Sequence, residues 1–439
     1  MRSARRWLAR RLAALLVVLA AIGGEGAALA QDSPVTISFA LRPQGGGGAP
    51  NAGELYVQAV LAEFAKLHPE IHVEYVPLTG NWQDRMTAQM ATGTAPDVFE
   101  MWGYFANNWG DQGMLLDLNP YVERDFSADV IADFYPGQWE AAVQVGGPYA
   151  GARIGIPRYV NTEILFYHQD AFDRAGLPYP PVMEAANDWN WTTFLEAAKK
   201  LTVGDGEGNV RTIGFRTPYW EQWVYSAGGR VFGWPEAPLE FLLDQPEAVA
   251  GLEFLRSLIW EHRVAEVGSD FSQGTAAMGT EWGSCCIQRV MAAVQDQFRW
   301  NIGPLPVGPT GKRHAWIGKD MWGIYAGTKH PEEAWTQVKF LVSPEASAIQ
   351  ARIIGEQPVR ISALPAYQEA LAGIDVHWAI EMGITAYPSA TYVIPESQRI
   401  RDHLEAAVDA SVRRNEKAVI QAIEEIKGPI NALLDPYRH

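Results

Sequence analysis

The stretch from Val35 to Met101 reads VTISFAL (35–41), ELYVQAVLAEFAKL (54–67), IHVEYV (71–76), WQDRMTAQMA (82–91) and DVFEM (97–101), and these segments decide the fold. Val35–Leu41 alternates apolar and polar side chains with the period of two that a strand requires. In the second segment Leu55, Val57, Val60, Leu61 and Phe64 fall on one stripe of a 3.6-residue helix, which Pro69 ends. Ile71–Val76 and Asp97–Met101 read as further strands around a helix over Trp82–Ala91. This β-α-β-α-β order predicts an α/β class with a mostly parallel sheet flanked by helices. Ligands of such sheets sit at the carboxyl ends of the strands.

The alternation resumes beyond Ile154–Pro157. Glu163–Tyr167 and Thr212–Arg216 read as strands, Thr192–Leu201 and Pro246–Glu261 as helices, and Glu396–Leu434 is strongly helical. A chain of 439 residues exceeds what one hydrophobic core serves, so a second α/β lobe is expected. Gly303-Pro304-Leu305-Pro306 and Gly355–Pro358 punctuate the second half, and no internal repeat is found.

The first thirty residues differ in kind from the rest. Arg2, Arg5, Arg6, Arg10 and Arg11 precede an apolar run from Leu12 to Ile22, and Ala28-Leu29-Ala30 offers a cleavage site before Gln31, the pattern of a signal peptide. The run is too short for the ~20 residues of a spanning helix. Arg5-Arg6 suits twin-arginine export and general secretion alike. The only cysteines, Cys285 and Cys286, lie far from that site. A periplasmic or extracellular protein without a lipid anchor is expected. Removing the five arginines and one glutamate of residues 1–30 takes the formal charge from −16 to −20. So acidic a chain repels nucleic acid and anionic membrane surfaces.

Several motifs recur in one order. Phe64-Ala65-Lys66-Leu67-His68-Pro69-Glu70 leads into the second strand; Gly93-Thr94-Ala95-Pro96-Asp97-Val98, Gly113-Met114-Leu115-Leu116-Asp117-Leu118 and Gly155-Ile156-Pro157 follow. Then come Phe166-Tyr167-His168-Gln169-Asp170, Phe271-Ser272-Gln273-Gly274-Thr275-Ala276-Ala277-Met278, Gly303-Pro304-Leu305-Pro306 and Pro331-Glu332-Glu333-Ala334-Trp335. The set resembles the extracellular solute-binding proteins of ABC importers, in particular the carbohydrate-binding group that includes maltose-binding protein. His168 departs from it, standing where Asn is usual. The resemblance implies the periplasmic-binding-protein fold: two lobes with a ligand cleft between them and about three chain crossings, near Pro157, Asn301–Gly303 and Gly355–Pro358. Lobe one would comprise 31–156 and 303–355, lobe two 157–302 and 356–439. It also implies a monomer that takes up a sugar, delivers it to ABC permease subunits, and needs no cofactor, metal or catalytic residue.

A pyranose presents apolar C–H faces to aromatic rings and hydroxyls to polar groups, so sugar clefts combine Trp and Tyr with Asp, Asn and Arg. Of seventeen Trp and sixteen Tyr, three clusters follow strands: Trp102-Gly103-Tyr104, Tyr219-Trp220-Glu221-Gln222-Trp223, and Glu281-Trp282-Gly283-Ser284. Weaker candidates are Asn81 and Trp82, Arg158 and Asn161 beside the first crossing, and Asp320 with Trp322. An Arg158 facing the cleft would clamp a carboxylate or phosphate and favour a uronate or a phosphorylated solute such as glycerol phosphate. Adjacent Cys285 and Cys286 pose a choice between a strained vicinal disulfide and two packing thiols.

Other chemistries are weaker. An exported glycoside hydrolase needs a designated carboxyl pair, and no pattern supplies one. Gly48 to Gly53 has P-loop spacing, but Glu54 replaces the lysine. Asp205–Asn209 lacks the later calcium ligands, and Pro69 separates His68 from His72.

Overall fold

The computed structural model describes residues 34–42, 52–182, 187–204, 210–234, 236–315, 317–377 and 394–438. The expected signal peptide, the Gly-rich segment 45–48 and the Asp205–Asn209 turn lie outside them. Strand β1 (Val35–Leu41) runs parallel to β2 (Ile71–Pro77) on one side and β3 (Val98–Trp102) on the other. Helices α1 (Ala52–Leu67) and α2 (Trp82–Thr92) make the crossovers, and α3 (Gly103–Asp111) follows β3 directly. The buried face of α1 is Tyr56, Val57, Val60 and Phe64. Leu55 is 51% exposed, so Tyr56 takes the position in the stripe that the sequence reading gave to Leu55.

Strand β4 (Ile156–His168) organises the rest. It is thirteen residues long and buried at every position, well beyond the expected Glu163–Tyr167. Its first half pairs antiparallel with β12 (Ile317–Ile324) and β13 (Gln357–Pro358). Its second half pairs antiparallel with β10 (Ala276–Trp282) and β11 (Trp300–Gly303). β12 also pairs with β3, and β10 runs parallel to β6 (Val210–Arg216), which takes β5 (Val203–Gly204) and β9 (Ala265–Glu266) at its edges. The order is thus β2-β1-β3-β12-β4-β10-β6-β5, with a separate ribbon of β7 (Phe232–Gly233) and β8 (Ala237–Phe241).

Three larger apolar cores surround this sheet. Ile37, Phe39, Val60, Phe64, Ile156, Trp322 and Trp335 belong to one, and Trp82, Met101, Trp109 and Met321 fill the other side of the same strands. Ile164, Phe166, Phe194, Trp223, Met278, Leu404 and Ile430 belong to the third. Core membership changes between Val160 and Ile164, within β4 itself. Leu305 and Ala315 still pack in the third core and Val359 in the first. The next change of core lies between Ala315 and Trp322, and the return to the third core between Val359 and Val376. The C-terminal region is two helices, Ser397–Val408 and Val419–Leu434, separated by a π turn at Asp409–Arg413.

Gly214 on β6 fixes one helix–sheet contact. A Cβ there would stand 2.2 Å from the Ala198 carbonyl oxygen, and the Gly214 N–H donates to the Thr202 hydroxyl at 2.9 Å. Gly214→Ala should therefore force strand and helix apart and cost about 1–3 kcal/mol, read as a lower urea midpoint; an unchanged midpoint would contradict this packing.

Candidate functional site

The pairing of β4 brings distant strand ends to one place. β12 is antiparallel to both β3 and β4, so β3 and β4 run in the same direction. In the register, Trp102 at the end of β3 opposes Asp320, and Asn161 opposes Gly318. Two residues further along β4, Glu163 opposes Trp282, the last residue of β10. The carboxyl ends of β3 and β10 and the start of β12 therefore meet around residues 161–163. This is where a parallel sheet offers its exposed backbone ends and loops to a ligand.

Two aromatic side chains line this junction. Trp282 and Tyr219 are both half-buried, with ring centroids 5.5 Å apart at 60°. The Trp282 Cζ3 atom lies 3.4 Å from where a Cβ on Gly318 would stand, so the glycine leaves the indole lying close on the β12 backbone. Beside them Glu281 is held by Arg216 at 2.5 Å and Arg289 at 3.1 Å. At the β3 end Trp102 carries the Arg42 guanidinium 4.5 Å above its ring and meets Trp82 edge-on at 5.3 Å.

Behind these rings lies a buried charge cluster. Glu100, 1% exposed, is paired with Arg42, whose Nε donates to it at 3.0 Å, and with Arg158 at 3.3 Å; Arg158 also pairs with Glu356 at 3.0 Å. Burial alone would raise the Glu100 carboxyl, but Arg42 and Arg158 outweigh it and hold the group at about 2. Asp320 shows the reverse balance. Burial pushes its carboxyl up to about 7, with Glu100 adding to the rise, although Arg42 and Arg158 oppose it. Lys319 is 7% exposed and has no hydrogen-bond or ion-pair partner among the described residues; burial pushes its amine well below the usual range.

The sequence candidates thus divide. Trp102, Tyr219, Trp282 and Asn161 are brought together around the β4 junction. Trp82 is 4% exposed and mainly a core residue, though its edge supports Trp102. Asn81 is exposed and its amide donates to Asp84 at 2.5 Å. Three tryptophans belong to cores instead. Trp220 donates its indole N–H to Glu405 at 3.1 Å, Trp223 packs among Phe194, Phe215 and Phe254, and Trp322 packs on Phe39 at 5.5 Å. Arg158 does not face a cleft: two buried carboxylates already occupy its guanidinium. Asp320 joins the same cluster. The side chains of Tyr104, Ser284, Cys285 and Cys286 lie outside the described residues. Gly318, Arg42, Arg216 and Lys319 were missed, although two of the four, Arg42 and Arg216, stand at the carboxyl ends of strands, where the rule that found Trp102 applies. Among the described residues no three His, Cys, Asp or Glu stand together to hold a metal, and no helix is long and apolar enough to cross a membrane.

The family model for bacterial extracellular solute-binding proteins matches residues 49–348. An erythritol/L-threitol-binding protein of Mycolicibacterium smegmatis is 24% identical over 85% of this chain and 83% of its own. Among solved structures, an ABC substrate-binding protein of Listeria monocytogenes in complex with cycloalternan superposes with a TM-score of 0.73 at 20% identity, covering 92% of this chain and all of its own. UgpB of Mycobacterium tuberculosis in complex with glycerophosphocholine gives 0.74 at 17% identity, over 92% and 99% of the two chains. These likenesses agree with the mixed α/β architecture described above.

The buried carboxyl of Asp320 yields a signed pH effect. Its value rises from 3.8 to about 7 on folding, so the protonated form suits the fold. That contribution is present at low pH and is lost as pH rises through about 7. Asp320→Asn should therefore stabilise the protein at pH 8 and do little at pH 5, measured by urea melts at both values. Equal effects at the two values would rule out this titration.

Proposed function

We propose, for a chain that belongs to the bacterial extracellular solute-binding proteins, that it captures a sugar or polyol between two lobes and delivers it to the membrane subunits of an ABC importer. The lobes are residues 35–162 with 317–371 and residues 163–315 with 376–434, the divisions suggested by where the cores change. The observation that carries the reading is the Tyr219–Trp282 pair, seated on Gly318 across β4. It gives a half-buried aromatic ledge from one lobe against the backbone of the other, flanked by Glu281, Arg216 and Asn161.

Such a ledge binds the C–H face of a polyhydroxylated ligand, while the charged neighbours take its hydroxyls through hydrogen bonds stronger than neutral ones. The similar proteins named for erythritol and L-threitol, or solved in complex with cycloalternan and with glycerophosphocholine, support an oxygen-rich ligand. Because the ledge and the β3 end lie on different lobes, a ligand touching both favours the closed arrangement by its differential contacts, and closure turns about the strands that cross. Capture of this kind makes and breaks no covalent bond. Export through the signal peptide of residues 1–30 places the protein outside the cytoplasm, where it acts as a monomer.

Titration calorimetry with erythritol, mannitol and linear and cyclic glucose oligosaccharides tests the assignment. At least one should bind and raise the melting temperature. Trp282→Ala and Tyr219→Ala should each weaken that ligand about tenfold, near 1.4 kcal/mol, with stability little changed. Full affinity in both variants would remove the ledge from the site, and no binding across the series would remove the carbohydrate reading.

A further inference from the structure

Lys319 stands apart from the other buried cations. Each buried arginine has an acceptor: Arg158 has Glu100 and Glu356, Arg360 has Asp133 at 2.7 Å, Arg153 donates to the Trp139 carbonyl at 2.8 Å, and Arg313 to the Leu305 carbonyl at 2.5 Å. Lys319 is the only buried lysine among the described residues, and it has none. Removing an ammonium from water without a counter-charge is among the costliest arrangements a fold can hold.

Its position explains the lack of a partner. Successive residues of a strand point to opposite faces. Asp320 points into the cluster of Arg42, Glu100 and Arg158, and Lys319 points away from it. The lysine stem runs along the first turn of α3: its Cβ and Cδ lie 3.0 and 3.5 Å from where a Cβ on Gly103 would stand. That turn is uncapped, because Trp102 at the N-cap has no side-chain acceptor and the first turn holds no acidic residue. Free N–H groups and the positive end of the helix dipole therefore adjoin the lysine. Burial pushes its amine well below the usual range.

The geometry points to an anion-binding subsite formed by Lys319 and the first-turn N–H groups of α3, which takes a carboxylate or phosphate borne by the captured sugar or polyol. The inference rests on the proposed capture site, which it narrows to an anionic member of that ligand class. The subsite lies at the β3 end beside Trp102, the N-cap of α3, while Gly318 carries the Tyr219–Trp282 ledge on the opposite face of β12, so the ligand reaches both across the strand ends. Helix N-termini bind such oxyanions readily, and a lysine ammonium supplies the compensating charge. The ligand provides the partner that the fold withholds. Arg158, the earlier candidate for this role, is already neutralised by its own carboxylates.

Titration calorimetry on the mature full chain decides it, with glycerol 3-phosphate and erythronate as anionic probes, glycerol and erythritol as their neutral counterparts, and inorganic phosphate alone. An anionic probe should bind at least tenfold tighter than its neutral counterpart and than inorganic phosphate. Lys319→Met should bring the anionic-to-neutral ratio to about one while keeping the neutral affinity and a melting temperature no lower than that of the wild type; Lys319→Gln is the second variant if the first does not fold. Neutral probes binding as well as anionic ones in the wild type would overturn the subsite and leave sugar capture standing. So would an unchanged ratio in a folded variant. Inorganic phosphate as tight as glycerol 3-phosphate would overturn a solute-borne anion. Failure of every sugar or polyol, charged and neutral, would overturn the capture reading itself.

Discussion

The hydrogen-bond ladder on β4 is the constraint on which the rest of the molecule depends. A strand with both edges paired and both faces covered has no freedom to slide, because a shift of one residue would turn every side chain to the opposite face. Ile156 and Val160 are fixed in one core, and Ile164, Leu165, Phe166 and Tyr167 in another. The same backbone must therefore satisfy two packing patterns in succession. That requirement sets where β12 begins and where β10 ends relative to one another. Gly318 and Trp282 become neighbours as a result, although 35 residues of chain and a change of core separate them.

Much of this was legible from pattern alone. The alternation of Val35–Leu41, the helical stripe ending at Pro69 and the returning strands follow from side-chain periodicity, which is a local property. Leu55 shows the limit even there: it is exposed, and Tyr56 takes the buried place beside Val57, Val60 and Phe64. Strand β4 was read as only five residues, since a strand buried on both faces shows no polar–apolar alternation. Arg158, Asn161 and Glu163 broke the apolar run, yet each is buried.

The site was less legible for a related reason. An aromatic residue after a strand either lines the cleft or folds back into the core, and its spacing from the strand is the same in both cases. Trp223 folds back because helix Glu221–Ser226 begins at once and turns it onto Phe194 and Phe215, and Trp220, just before that helix, gives its indole N–H to Glu405. Tyr219, one residue earlier, stays at the junction. Trp322 and Lys319 lie on the same short strand, and the expectation favoured the indole over the amine. Only tertiary pairing reveals that the indole packs on Phe39 while the lysine has no partner among the described residues.

Opposite electrostatic solutions sit one residue apart on β12. Asp320 belongs to a cluster in which arginines and carboxylates neutralise one another, an arrangement whose value lies in fixed geometry more than in net stability. Lys319 is offered no such compensation. The pairing of β12 with β4 is irregular between Asp320 and Met321, where the register shifts. Bulges of this kind re-aim side chains and gather beside functional sites. The residue passed over lies on β4, where Arg158 falls between Pro157 and Tyr159, while β12 keeps a regular pairing with β3. Lys319 and Met321 therefore share the face toward Gly103 and the core of Trp82 and Trp109, and Asp320 and Trp322 share the other. The irregularity instead lets Arg158 reach Glu100 and Glu356 without disturbing that alternation, so one strand serves the core at its far end and holds the lysine beside the first turn of α3 at its start.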